Sequence, residues 1–311
     1  MNPTTPNNAI STHYRGRFAP SPTGVLHFGS LVAAFGSWLA ARRAGGAWLV
    51  RAEDLDPPRE VAGAADAQLR TLSAFGLLAD EPAWRQSERG MAYRAALERL
   101  SAMGAAFECH CSRSDLVPQG GIHRACVAGA RRPDPAVRMR VPPGTRIVFD
   151  DGVHGRITQD VGREVGDFVL RRADGHWAYQ LAVVVDDAAQ GITDVVRGSD
   201  LLDSTARQIL LQRALGLATP RYLHLPLIVD GDGRKLSKSS AALPVEDDDP
   251  VPALRAAWLA LGQVPDVLPG DDADLASLLA AGVQAFDPDR IPRTPTPLLA
   301  ALHNMIVRDA E

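Results

Sequence analysis

Residues 17–30, RFAPSPTGVLHFGS, lead directly into an apolar stretch, LVAAFGSWLAARR, at residues 31–43. The first segment carries two prolines and two glycines in fourteen positions, a composition that predicts a rigid loop rather than a strand or a helix interior. In the second segment, Leu31, Phe35 and Trp38 recur at helical spacing before a Gly-Gly pair. This spacing predicts a helix over 31–43 that begins directly after the loop.

The segments on either side of this loop and helix decide the fold class. YRGRFA (14–19) ends at a proline as a strand feeding a loop would, and AWLVRAE (47–53) is a compact apolar strand. Strand, helix and strand in succession indicate a right-handed βαβ unit in an α/β protein with a parallel sheet. Two further helices are expected around 61–75 and 91–103.

The character of the chain changes at residue 109. Residues 109–174 are rich in proline, glycine and arginine, with short strand-like pieces such as RIVFD (146–150), which indicates an insertion of different architecture. The α/β pattern resumes with YQLAVVVDD, ITDVVRG and the helix LLDSTARQILLQRALG. The predicted organisation is therefore a disordered tail (1–13), two catalytic-domain halves (14–108 and 175–245), the insertion (109–174), and an acidic linker with a helical C-terminal region (246–311).

Composition limits the class of protein. The chain has 311 residues, 46% of them apolar, and a net charge of −4, which excludes a strongly basic nucleic-acid coat but leaves a local basic patch open. Three cysteines are an odd number and argue against a disulfide framework. Residues 1–13 lack the pattern of a signal peptide, and no apolar run reaches transmembrane length. We expect a cytoplasmic globular protein without a membrane partner.

The loop at 19–27 is a candidate phosphate site. In open α/β sheets, ligands bind at the carboxyl ends of strands beside helix N-termini. Gly24 and Gly29 allow a ligand to approach the backbone, and His27 is placed to donate to a phosphate oxygen. No G-x-G-x-x-G is present, which disfavours a dinucleotide site. The alternative is a tight turn with a satisfied histidine.

A second candidate loop is KLSKS at residues 235–239. Lys235 and Lys238 are three residues apart and can reach one polyphosphate as point charges. Alone, such a loop is more often a solvated basic segment. Two such loops in one chain, in this order, favour phosphoryl or adenylyl chemistry.

The three cysteines are clustered in the insertion. Cys109, Cys111, His123 and Cys126 have the composition of a tetrahedral zinc site. His110 competes with His123 for the fourth position, but it lies between two ligands, so His123 is favoured. Structural zinc suits a small insertion with little core of its own. The alternative is three incidental thiols.

Several of these motifs together resemble the class I aminoacyl-tRNA synthetases. His27-Phe28-Gly29-Ser30 resembles the HIGH signature and KLSKS the KMSKS loop, while RAEDLD (51–56) and VVRGSDLLDSTARQILLQRALG are similar to glutamyl-tRNA synthetases. The resemblance covers about residues 14–240. It implies a Rossmann-type doubly wound parallel sheet with a zinc-bearing α+β insertion. Short paralogues carry a tyrosine near the position of His123, with a spacing to the last cysteine one residue longer.

The resemblance also implies a reaction, in which ATP with Mg²⁺ and L-glutamate form an aminoacyl-adenylate whose acyl group moves to an RNA hydroxyl. His27, Lys235 and Lys238 would stabilise phosphate charge. The implied ATP-binding set is Pro20, Gly24, His27, Gly29, Ser30 and Lys238. The implied glutamate-binding set is Arg17, Phe18, Ala19, Pro20, Ser21, Glu53, Tyr179 and Arg197, with Arg17 and Ser21 on a carboxylate and Glu53 on the ammonium. Without the motif set, a surface salt bridge would be the favoured interpretation of Arg17 and of Arg197, and a half-buried aromatic that of Tyr179.

The part of the chain after Lys238 is shorter than the anticodon-binding region of a full glutamyl-tRNA synthetase. The chain therefore resembles the glutamyl-Q tRNA(Asp) synthetases, which esterify queuosine in the anticodon loop of tRNA(Asp). We expect a monomer whose arginines in the insertion meet RNA phosphates, namely Arg124, Arg131, Arg132, Arg138 and Arg140. Two alternatives remain open, a truncated glutamyl-tRNA synthetase that charges tRNA(Glu) and a non-enzymatic zinc-bearing RNA-binding module.

Overall fold

The computed structural model describes residues 13–230, 245, 248–270 and 272–297. It begins with strand β1 (Arg15–Phe18), helix α1 (Phe28–Arg43) and strand β2 (Ala47–Ala52). β1 and β2 pair in parallel, which confirms the predicted βαβ unit. α1 begins at Phe28, three residues before the predicted start, because the side chain of the preceding residue caps the first turn.

The remaining elements follow in an order typical of α/β proteins. The helices are α2 (Ala64–Ala74), α3 (Gly90–Ala102), α4 (Arg113–Leu116), α5 (Val161–Glu164), α6 (Tyr179–Ala189), α7 (Leu202–Ala214), α8 (Pro250–Ala260) and α9 (Leu275–Ala285). The strands are β3 (Trp84–Arg85), β4 (Ala106–Cys109), β5 (Ala136–Met139), β6 (Arg146–Asp151), β7 (Gly155–Asp160), β8 (Phe168–Arg171), β9 (Asp194–Gly198), β10 (Arg221–Leu225), β11 (Ile228–Val229) and β12 (Thr296–Pro297).

Parallel pairing runs through the centre of the molecule. β3, β2 and β1 form one parallel set, and β9, β10 and β6 form another. The two sets meet where the backbone N–H of Thr193 donates to the carbonyl of Arg15 at 2.9 Å. The carboxyl ends of β1, β2, β9 and β10 therefore lie along one edge.

The predicted insertion contributes to two different sheets. β4, β5 and β8 form a separate antiparallel sheet. The β6–β7 hairpin instead joins the parallel sheet, since β6 pairs with β10 at Asp151 and Tyr222. The domain boundaries stay a prediction, but the hairpin adjoins strands assigned to the catalytic half.

Two hydrophobic clusters cover opposite faces of the parallel sheet. Val50 and Val196 belong to one cluster, whereas their neighbours Leu49 and Val195 belong to the other, as alternation along a strand requires. The first cluster includes α1 together with α8 and α9, and the second includes α3, α6 and α7. The C-terminal helices are thus part of the main core. Within the described ranges, no helix has the length and apolar character needed to cross a membrane.

Candidate active site

A cavity of about 370 Å³ opens at the carboxyl ends of the parallel strands. Its lining brings together most of the residues that the sequence predicts for glutamate and ATP: Arg17, Phe18, Ala19, Pro20, Ser21, His27, Gly29, Ser30, Glu53, Tyr179 and Arg197. Gly24 is not part of this lining. Lys235 and Lys238 lie outside the described residues.

The loop between β1 and α1 is held by a buried glutamine. The side-chain amide of Gln68 donates to the carbonyls of Gly24 at 2.7 Å and Ser21 at 3.2 Å. The carbonyl of Pro20 accepts from the backbone N–H of Glu53 at 2.9 Å. Gly24 has φ +138°, a conformation that favours glycine. These hydrogen bonds come from α2 and from the residue that follows β2, so groups of the protein itself hold the loop in place.

His27 is the N-cap of α1. Its Nδ1 accepts from the backbone N–H of Ser30 at 3.2 Å, and its Nε2 lies 3.1 Å from the Ser30 hydroxyl. Because Nδ1 is an acceptor here, this hydrogen-bond pattern assigns the proton of the neutral ring to Nε2. A side chain at Gly29 would lie 3.4 Å from the His27 ring. The first turn of α1 and the imidazole thus form one compact wall of the cavity.

A buried ion-pair network forms another wall. Arg17 donates to both oxygens of Asp187, at 3.1 and 3.3 Å. Arg51 reaches the same carboxylate at 2.8 Å and contacts Glu53 at 3.3 Å. Burial by itself raises the pKa of Asp187, but the two guanidinium groups together hold it below its usual value. Asp187 therefore stays ionised and fixes the orientation of Arg17.

The pKa of Glu53 is shifted in the opposite direction to that of Asp187. Its carboxyl group lies in the pocket lining, and burial raises its pKa although Arg51 and Arg17 oppose the shift. A carboxylate that is destabilised by burial gains most from a cationic partner. An ammonium group in the cavity would supply such a partner, as the predicted role of Glu53 requires.

Arg197 and Tyr179 also line the cavity. Arg197 donates to the Tyr179 hydroxyl at 3.3 Å and to the Thr205 hydroxyl at 2.9 Å. The Tyr179 phenol has a raised pKa because it is buried, an effect that Arg197 opposes. Tyr179 therefore remains a neutral hydroxyl at physiological pH. The cavity lining thus includes two arginines, Arg17 and Arg197, which suits a ligand with two carboxylates.

Sequence reasoning missed the residues that hold the predicted ones in place: Arg51, Gln68, Asp151, Asp187 and His224. A signal existed for two of them. Arg51 interrupts the apolar strand AWLVRAE, and Asp187 ends the apolar stretch YQLAVVVDD. A charged residue in a buried element must find a partner, so each marked an internal ion pair.

The cysteine cluster lies in the predicted insertion, around β4. The Sγ atoms of Cys109, Cys111 and Cys126 all lie within 4.8 Å of one another. Burial raises the pKa of Cys111, whereas the backbone N–H of Ala128 helps to lower that of Cys126. Three thiols this close are a donor set for a soft metal ion.

His123 stands beside this cluster. Its Nε2 is 3.2 Å from Cys109 Sγ, and its Nδ1 is 2.8 Å from a carboxylate oxygen of Asp167. Gly166 permits the approach, since a side chain there would lie 2.2 Å from the carbonyl of His123. His110, the competing candidate, instead accepts from the backbone N–H of Arg132 at 3.0 Å. His123 contacts one of the three thiols, but the group whose ligand atoms all lie within 4.8 Å of one another consists of the three cysteines, so His123 as fourth ligand stays a prediction.

The arginines expected to contact RNA differ in exposure. Arg124, Arg131 and Arg132 are exposed. Arg140 lies over the ring of Phe107. Arg138 is buried and donates to the carbonyl of Asp167 at 3.0 Å, so it supports the insertion and does not face solvent. The RNA surface stays a prediction for the exposed members.

Comparison with known proteins places the chain in a family of tRNA synthetases. Residues 13–127 and 123–255 match the family described as tRNA synthetases class I (E and Q), catalytic domain. The chain is 67% identical over 285 residues to the glutamyl-Q tRNA(Asp) synthetase of Xanthomonas oryzae pv. oryzae, covering 91% of this chain and 94% of that protein. It is 54% identical over 294 residues to the glutamyl-Q tRNA(Asp) synthetase of Burkholderia cenocepacia, covering 88% and 98%.

Solved structures support the fold. A glutamate tRNA ligase from Elizabethkingia meningosepticum, in complex with its amino acid, aligns with a TM-score of 0.77 at 23% identity, covering 94% of this chain and 68% of that one. A glutamate-tRNA synthetase from Elizabethkingia anophelis aligns with the same TM-score at 24% identity. At these identities the likeness concerns the arrangement of the α/β core.

Proposed function

This chain belongs to the class I family of glutamyl- and glutaminyl-tRNA synthetases, in its glutamyl-Q tRNA(Asp) synthetase branch, and we propose that its cavity joins L-glutamate to the queuosine base of tRNA(Asp) through a glutamyl-adenylate. The enzyme is a ligase that consumes ATP. The cavity at the carboxyl ends of the parallel strands, whose lining includes Arg17, Arg197 and Glu53, supports the proposal.

Charge complementarity accounts for the choice of amino acid. Glutamate brings two carboxylates and one ammonium, and the cavity offers Arg17 and Arg197 for the former and Glu53 for the latter. Arginine pairs with a carboxylate through two parallel hydrogen bonds. Glutamine would lack one negative charge opposite a buried guanidinium, which is unfavourable. Ser21 adds a hydroxyl beside this site.

Activation proceeds without a protein nucleophile. An oxygen of the glutamate α-carboxylate attacks the α-phosphorus of ATP, and the bond to pyrophosphate breaks. Negative charge builds on the phosphates, where His27 and the N–H groups at the start of α1 act as donors. We assign Lys235 and Lys238 to stabilise the negative charge of the departing pyrophosphate, together with the Mg²⁺ ion that would accompany ATP. The catalytic contribution is therefore positioning and electrostatic stabilisation.

Transfer uses a hydroxyl of the modified base. The hydroxyl oxygen attacks the acyl carbon of the adenylate, AMP leaves with the bonding electrons, and the hydroxyl proton is released. The partner is the anticodon stem-loop of tRNA(Asp), contacted by exposed arginines such as Arg124 and Arg131. We further assign the enzyme to the cytoplasm, where ATP and tRNA are available, and expect it to act as a monomer.

The cysteine cluster fits one structural zinc ion. Three thiols and a histidine make a typical zinc donor set. Cys109, Cys111, Cys126 and His123 would hold the ion, and Asp167 orients the histidine through Nδ1 as carboxylates do beside zinc. Zinc would supply cross-linking to a region with little core and takes no part in the reaction.

Two assays test the proposal. Purified protein should catalyse glutamate-dependent exchange of pyrophosphate into ATP, and labelled glutamate should then appear on tRNA(Asp) that contains queuosine. Matched tRNA(Asp) without queuosine and tRNA(Glu) are the controls. Equal labelling of either control would contradict queuosine as the acceptor, and absence of exchange would contradict the enzymatic function.

A further inference from the structure

Three buried side chains form a continuous hydrogen-bonded chain behind the cavity. Asp151 lies at the end of β6, His224 in β10 and Arg197 in β9. His224 Nδ1 is 2.6 Å from a carboxylate oxygen of Asp151, and Arg197 Nε lies 3.1 Å from His224 Nε2. His224 is 0% exposed and Arg197 5%. Only Arg197 of the three lines the cavity.

The hydrogen bonds of this chain admit one tautomer of His224. A guanidinium can only donate, so Nε2 must present its lone pair to Arg197. The ring proton then resides on Nδ1 and is donated to Asp151. The second oxygen of Asp151 accepts from the backbone N–H groups of Val153 and His154, at 3.0 and 2.9 Å, so the carboxylate cannot rotate without losing bonds.

The charged and titratable groups around His224 favour its neutral form. Burial lowers its pKa; Asp151 opposes this effect, while Arg197 and His154 reinforce it. The ring of Tyr222 stacks on the same imidazole with centroids 6.2 Å apart. Asp151 stays ionised, because hydrogen bonds from His224 and the backbone outweigh burial and keep its pKa low. The neutral imidazole thus donates to the Asp151 carboxylate through Nδ1 and accepts from Arg197 through Nε2, so it connects the two charged groups.

The same contacts determine where Arg197 points. Its Nε is tied to His224 and one terminal nitrogen to Thr205, which leaves the other terminal nitrogen at the Tyr179 hydroxyl on the cavity wall. We propose that Asp151 and His224 are positioning residues that set the affinity for the glutamate carboxylate by fixing the orientation of Arg197. The inference rests on the proposed function, because it needs Arg197 to contact glutamate.

This arrangement gives the β6–β7 hairpin a role in the reaction. The hairpin lies in the region that the sequence assigns to the insertion, yet it places Asp151 two side chains away from the amino-acid site. The hairpin therefore contributes a positioning residue to the proposed amino-acid site.

The variant Asp151→Asn tests the tautomer directly. If the amide NH₂ faces His224, it donates to Nδ1 and forces the proton onto Nε2, against Arg197. If it faces the other way, it opposes the N–H groups of Val153 and His154. Either placement loses hydrogen bonds. We expect the KM for glutamate in the exchange assay to rise about 10- to 100-fold, with the KM for ATP and kcat changed less than about twofold.

A pair of His224 variants separates positioning from packing. His224→Gln retains a carbonyl oxygen that can accept from Arg197, whereas His224→Leu retains volume without an acceptor. We expect the glutamine variant to keep a KM for glutamate nearer to that of the wild type than the leucine variant does. Should His224→Leu fail to fold, the comparison of Asp151→Asn with His224→Gln carries the test.

The matched control is Asp194→Asn. Asp194 is also a buried aspartate on the parallel sheet, paired with Arg221 at 2.7 Å, and it does not line the cavity. This variant should lose stability while its KM for glutamate is unchanged. An Asp151→Asn protein with unchanged KM, or with equal increases for glutamate and ATP, would overturn the inference. A wild-type protein without exchange activity would contradict the proposed function itself.

Discussion

The glutamate pocket and the cysteine cluster are both built from clustered polar side chains, but they differ in what holds them. Arg17, Arg51 and Asp187 form a network completed by protein groups alone, beside two large hydrophobic clusters. The cysteine cluster has a satellite core whose buried members are Cys109, Cys111 and Leu116. The first site is therefore preformed by folding, whereas the second has little core of its own and is the region where the proposed zinc ion would add stability.

The largest expected effect comes from removing a cation of the pocket. Arg17→Met leaves Asp187 with Arg51 as its partner but removes a guanidinium group from the cavity lining. If substrate binding loses a buried charge pair worth about 3 to 5 kcal/mol, kcat/KM for glutamate should fall about 10²- to 10⁴-fold. Pyrophosphate exchange measures this loss. Arg17→Lys is the control, and full activity in the methionine variant would contradict the role of Arg17.

Asp187→Asn should weaken the network through two arginines at once. We expect a stability loss of about 3 kcal/mol near neutral pH, because two buried guanidinium groups lose their shared counter-ion. The folded-state pKa of Asp187 is lowered, so its contribution is present above the unfolded pKa of about 4 and is lost as pH falls through the folded value.

Denaturant unfolding of the wild type and of Asp187→Asn across pH checks this prediction. The difference in unfolding free energy should be widest above about pH 4 and should close in more acidic solution. A difference that does not change with pH would mean that the carboxylate charge does not stabilise the folded protein.

Metal removal should separate the two regions. Chelation, or the variant Cys111→Ser, should release one zinc ion per chain and lower the midpoint of thermal unfolding. Glutamate activation should fall less than about threefold, because the pocket is completed by its own ion pairs, while transfer to tRNA falls about tenfold. Metal analysis, thermal unfolding, pyrophosphate exchange and glutamate transfer to tRNA measure these effects. Equal loss of both activities would show that the pocket also depends on the metal.

The smallest expected effect concerns the loop before α1. Gln68→Met keeps the volume of the side chain but removes the donor to the carbonyls of Ser21 and Gly24. Losing these bonds should cost about 1 kcal/mol, or about fivefold in the KM for ATP, with the KM for glutamate affected less. Initial rates at varied ATP concentration measure the change. A larger increase in the KM for glutamate than in the KM for ATP would mean that the loop mainly supports glutamate binding.

Local sequence patterns were sufficient for the βαβ unit, because apolar spacing and the Pro-Gly loop are properties of short segments. Residue spacing also predicted that the three cysteines lie close together, as the structure shows, whereas the chemical roles of His27 and of the cysteines stay predictions. Predicted helix boundaries were less accurate, since the start of α1 depends on the cap formed by His27.

By itself the sequence determined which side chains form the candidate glutamate-binding set, because the family motifs group Arg17, Glu53, Tyr179 and Arg197, and the structure brings all four to one cavity. Only the tertiary structure decided how those groups are oriented. Asp187 lies 170 positions from Arg17, and Asp151 lies 73 positions from His224. Such partners become neighbours only when parallel strands align their carboxyl ends, and the need to pair every buried charge then selects them.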